Sequence, residues 1–170
     1  MKKKILGILA GLLIVIMFVV PVPAKPTKTP VTYFRVVDAM EPVVWRMAGE
    51  SHVFIVVESV RSGSIYEGTD DEGAKLFTFT QVGTMKANTK QDKQIWHFDQ
   101  VWTSTTVDGG FKGRLNGKAG ADGLYTVTGI LQGFGDLKGQ KLVIEGNRNP
   151  FPNPAYPMGS SDITGVLLEP

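Results

Sequence analysis

Two hydrophobic patterns divide the chain. Ile5 to Val20 form an unbroken non-polar run, whereas from Val31 onward β-branched and aromatic residues alternate with polar ones and are broken by Gly, Asp and Asn. Alternation with a period of two puts successive side chains on opposite faces of a strand, so the second pattern predicts strands and hairpin turns. The strands expected are Val31 to Asp38, Val43 to Met47, His52 to Ser59, Lys75 to Lys86, Gln94 to Val107, Phe111 to Lys118, Leu124 to Gln132, Leu137 to Glu145 and Ile163 to Leu168. Turn signals separate them at Gly68 to Gly73, Asp108-Gly109-Gly110, Gly120 to Gly123 and Gly133 to Asp136. Val36 to Ala48 has room for a helical turn, but Pro42 interrupts it.

Short antiparallel connections imply an all-β fold: a single antiparallel barrel of eight or nine strands, with a β-sandwich as the alternative. Closure into a barrel removes exposed edges. The phase of the alternation then divides inner from outer faces. Trp96, Phe98, Gln100 and Trp102 share one face of their strand, and Ile95, His97, Asp99 and Val101 the other. The same phase groups Phe77, Phe79, Gln81 and Met85, and groups His52, Phe54, Val56 and Glu58. Gly110 to Lys118 echoes Gly133 to Lys141, and glycines within strands mark bends or close backbone approach.

The run Leu124 to Leu142, preceded by Gly110-Phe111-Lys112-Gly113 and followed by Ile163-Thr164-Gly165-Val166-Leu167-Leu168, resembles small secreted barrels of the allene oxide cyclase and dirigent-like kind, and exported prokaryotic proteins of unknown function with a similar glycine-rich hairpin. The resemblance covers roughly the last 60 residues, rests on glycine and apolar spacing, and implies a fold without carrying over a catalytic residue.

The first pattern changes how the composition reads. Lys2, Lys3 and Lys4 before the apolar run, and Pro21-Val22-Pro23-Ala24-Lys25 after it, have the order of an export signal, with cleavage expected between Ala24 and Lys25. An uncleaved anchor is the competing reading, because a run of this length approaches the roughly 20 residues that span a bilayer. Either way the domain is expected outside the cytoplasmic membrane, secreted or tethered to its outer face. Pro26 and Pro30 among Lys25, Thr27, Lys28 and Thr29 suggest a linker over 25–30, leaving 31–170 as the barrel domain. The three leader lysines account for three of the 18 basic residues, so the remainder carries 15 against 16 acidic and lacks the positive footprint of a nucleic-acid binder. With no cysteine there is no disulfide, thiol nucleophile or thiolate metal site.

Few residues carry chemistry at recognisable spacing. His52 and His97 stand apart from any second ligand, so no metal is expected, and no motif indicates a cofactor. His97 and Asp99 share a strand face two residues apart, in reach of one another as a base and its orienting carboxylate, and Glu58 is a third catalytic candidate if it lies in an apolar cavity. The acidic turn Asp70-Asp71-Glu72 reads as a hairpin tip. Trp96, Phe98, Gln100, Trp102, Phe77, Phe79 and Gln81 form an aromatic wall with a few polar groups, as expected around a small apolar or aromatic ligand. The same set also suits a filled barrel. Phe151, Tyr156 and Met158, in the proline-rich loop Gly146 to Gly159, are candidates for a lid over one mouth. Three functions remain open: a small-molecule-binding barrel, a cyclase or isomerase with an acid/base group in an apolar cavity, and a structural or interaction module at the cell surface.

Overall fold

The computed structural model describes residues 25–49, 52–91, 93–119, 125–146, 155–156 and 158–170. The N-terminal apolar run and most of the loop before the last strand lie outside them. Among the described residues nine strands follow one another: β1 (Thr27–Met40), β2 (Trp45–Met47), β3 (Val53–Glu67), β4 (Lys75–Asn88), β5 (Lys93–Ser104), β6 (Gly109–Ala119), β7 (Tyr125–Gly135), β8 (Lys141–Gly146) and β9 (Ser160–Glu169). Every pairing is antiparallel, and the described residues contain no helix.

The ring runs β1-β9-β8-β7-β6-β5-β4-β3 and closes by pairing β1 with β3. Eight strands thus make the barrel, and the sandwich alternative is excluded. The short β2 stands outside the ring, on the edge of β3 that β1 leaves free: β1 pairs with Arg61 to Glu67, and β2 with Phe54 to Val56. One edge of β3 thus meets β1 along its second half and β2 along its first.

Two expected boundaries are corrected. Residues 27–30, read as linker, belong to β1 and pair with Val166 to Glu169 of β9. Pro30 is tolerated because β1 meets β3 only from Tyr33 onward, so this stretch has a partner on one side alone. The second half of β3, Val60 to Glu67, lies beyond the strand expected to end at Ser59, and it is the segment that closes the barrel.

Alternation is most regular in β4, where every second residue from Phe77 to Ala87 is buried. The core runs around the inner faces: Tyr33 and Val37 of β1, Phe79, Phe98 and Trp102 of β4 and β5, Leu131 and Ile144 of β7 and β8. A second, smaller cluster of Val56, Met85 and Ala87, with Val43, Phe54 and Trp96 against it, lies toward the end that carries the β4–β5 and β6–β7 connections. The opposite end is filled with rings: Tyr33, Phe77, Trp102 and Phe111 touch at centroid distances of 5.8 to 6.2 Å.

Glycine has the structural use the internal echo suggested. A Cβ on Gly110 would collide with the Trp102 carbonyl, and one on Gly133 with the Leu137 carbonyl. In both halves of the echo the backbone passes too close for any side chain.

Candidate functional site

Between the two apolar clusters lies a polar layer. Arg35 of β1 follows Tyr33 and precedes Val37 in the inward phase, so its guanidinium points into the barrel and is buried. Its Nε donates to Ser161 Oγ of β9 at 3.0 Å, and its Nη1 donates to Gln81 Oε1 of β4 at 3.0 Å. The same Gln81 oxygen accepts from Gln100 Nε2 at 2.8 Å, and Gln100 Oε1 accepts from Trp102 Nε1 at 2.7 Å. A chain of hydrogen bonds thus descends from Arg35 to the aromatic end. Above it, Arg61 of β3 places its guanidinium 5.4 Å from the Trp96 ring and donates from Nε to Ser59 Oγ at 3.3 Å. Arg35 lies 5.4 Å from the Phe79 ring.

Among the described residues neither arginine is paired with a carboxylate. Among the described residues the only ion pair is Arg114 with Asp99, on the outer face. Burial pulls Arg35 down to about 10, and the neighbouring Arg61 pulls in the same direction; burial lowers Arg61 as well. Both remain cations at neutral pH, since a guanidinium does not shed its proton in a protein. Tyr125 offers no compensation, because burial pushes its phenol up to about 12 and keeps it neutral. Withdrawing each charge from water costs several kcal/mol. Ring contacts worth about 0.5–2 kcal/mol and hydrogen bonds of about 1.5–3 kcal/mol each offset part of this. Among the described residues two polar atoms in the layer have no partner: Gln81 Nε2 and Trp96 Nε1, both buried. Every unmet group here is a donor.

The seven residues expected to line a ligand site all fall on the inner face, but six of them, Phe77, Phe79, Gln81, Phe98, Gln100 and Trp102, are buried against one another. Trp102 and Gln81 are 0 % exposed. Only Trp96 is partly open, stacked on Phe98 at 5.5 Å. The lower barrel is therefore filled, and Trp96, Arg61 and Tyr125 mark what is reachable from the other end.

The catalytic candidates go elsewhere. The pairing of β3 with β4 slips between Val56 and Ser59, a bulge that keeps both of these inside and turns Glu58 outward, against the simple alternation expected. Glu58, His97 and Asp99 do come together, with Thr84 and Arg114, in an outer groove of about 400 Å³. His97 and Asp99 each bond to a neighbour on β6 instead of to one another. His97 Nδ1 lies 2.8 Å from Asn116 Oδ1, and Asp99 accepts from Arg114 at 2.8 and 2.9 Å. The Arg114 hydrogen bonds hold the Asp99 carboxyl below its usual range, which makes it a weaker base. Solvent reaches all three.

The lid residues divide likewise. Phe151 lies outside the described residues. Tyr156 packs edge-on against Phe34 at 5.3 Å, and Phe34 belongs to the outward phase of β1, so Tyr156 covers the barrel wall and not its mouth. Its hydroxyl bonds to Asp71 of the β3–β4 turn, which raises the phenol to about 12.

Sequence reading missed Arg35, Arg61 and Ser161. Arg35 had a visible signal, a charge between Tyr33 and Val37 in the inward phase. Arg61 and Ser161 had none, because their segments were not recognised as strand. Comparison with protein-family models, with curated proteins and with solved structures finds no match.

Proposed function

We propose that the protein is an exported, non-enzymatic barrel that holds a small molecule with an apolar or aromatic body in its open mouth. The observation that carries this reading is the Trp96 indole, partly exposed on the inner face with its N–H buried and, among the described residues, unpartnered. A buried donor is ordinarily satisfied, and one left free at an opening suits an incoming acceptor. Phe54, partly exposed and backed by the buried Val56 and Met85, provides an apolar surface beside it, and the filled aromatic end confines binding to this side. Export rests on the leading lysines and the apolar run.

Thermal unfolding with a panel of aromatic and aliphatic compounds tests the reading. A compound present at about 100 times its Kd stabilises the fold by about 2.7 kcal/mol. Trp96→Ala is expected to abolish the shift. If no compound raises the midpoint, the binding reading fails and a surface interaction module takes its place.

A further inference from the structure

Resting on that binding reading, we propose that the ligand is amphipathic and anionic: an oxyanion head, a carboxylate in the first instance, held at Arg61 and backed by Arg35, with its apolar body against the mouth wall. Among the described residues the layer presents two guanidinium groups, an indole N–H and an amide N–H without partners, and no carboxylate paired with either arginine. Such an excess of donors and positive charge is what an anion satisfies and what a cation or a pure acceptor-seeking donor does not. Arginine suits a planar oxyanion because its fork donates two parallel hydrogen bonds. Arg61 is placed to make the first contact: it is only partly buried, whereas Arg35 is buried beneath it and already tied to Ser161 and Gln81. Trp96 lies under the Arg61 guanidinium and aims an unpartnered donor into the same layer. Phe54, partly exposed and packed on the buried Val56 and Met85, takes the part of the ligand that water rejects.

Titration calorimetry with 2-naphthoate, 2-naphthalenemethanol and inorganic phosphate separates the elements of this proposal. The wild-type protein is expected to bind naphthoate at least about tenfold more tightly than the alcohol. Arg61→Gln is expected to reduce naphthoate to the level of the alcohol while leaving the alcohol unchanged, and Arg61→Lys to restore part of the difference. Circular dichroism of each variant establishes that it is folded, and the wild-type comparison decides even if Arg61→Gln is not. Equal affinity for naphthoate and alcohol in the wild type overturns the anionic head and leaves the binding reading standing. Phosphate binding as tightly as naphthoate overturns the amphipathic ligand. Binding of none of the three by calorimetry, together with no thermal shift in the wider panel, removes the underlying reading itself.

Discussion

Gln81 shows how much one residue decides. Its side-chain oxygen accepts from both Arg35 and Gln100 while its nitrogen has no partner. Gln81→Leu leaves both donors unmet and is expected to destabilise the fold by about 1–3 kcal/mol, measured by urea unfolding. Gln81→Glu has nearly the same shape and replaces the orphaned nitrogen with an acceptor beside Arg35, so it is expected to raise the unfolding temperature at neutral pH and to weaken naphthoate binding. The new carboxyl would ionise more readily in the folded than in the unfolded chain. Its gain is therefore present above the ordinary glutamate value of about 4.3 and lost as pH falls below it. At the alkaline end Tyr33 and Tyr125 are raised by burial to about 12, so the unfolded chain loses their protons first and stability falls above about pH 10, visible in thermal unfolding as a function of pH. Arg35 does not offset this, because its guanidinium keeps its proton in both states. Asp99→Asn and His97→Ala, on the solvated face, are expected to leave naphthoate binding and the unfolding midpoint unchanged.

At the scale of the strand, what the sequence disclosed depended on how regularly each element alternates. In β4 and β5 the period of two holds from end to end, so Phe77, Phe79, Gln81, Phe98, Gln100 and Trp102 could all be assigned to the inner face. In β3 the bulge beyond Val56 reverses the phase, and Glu58 leaves the face on which it was expected. The rest of β3 was hidden by its composition: Ser62, Gly63 and Ser64 are poor strand formers, held in the sheet by β1 on one side and β4 on the other. Arg61 was hidden with them, which is why the polar layer was not legible while the aromatic wall was. Close packing of backbone makes its own prediction. Gly133→Val forces a branched side chain against the Leu137 carbonyl and is expected to cost at least about 1–3 kcal/mol in chemical denaturation. On β2, Trp45 and Met47 are more than half exposed, so Trp45→Ser or Met47→Ser is expected to alter stability by no more than about 0.5 kcal/mol.

Across the whole molecule, closure is the property that local pattern could not specify. Short connections suggested neighbours in sequence, and β3 to β9 obey that rule around the ring, but the seam joins β1 to both β3 and β9. The β1–β9 ladder links Thr27 to Glu169, almost the full span of the described chain. Folding of an antiparallel barrel closed by so distant a pairing is expected to take milliseconds to seconds by stopped-flow fluorescence. Synthesis from the N-terminus gives this seam a temporal meaning. The first strand to emerge acquires its last neighbour only when the final strand is made, and until then its edge is an invitation to foreign strands. A nascent chain of this kind must be kept apart from its copies throughout elongation, so ribosome-arrested chains lacking β9 should associate with holdase chaperones, and release of the full length should free them.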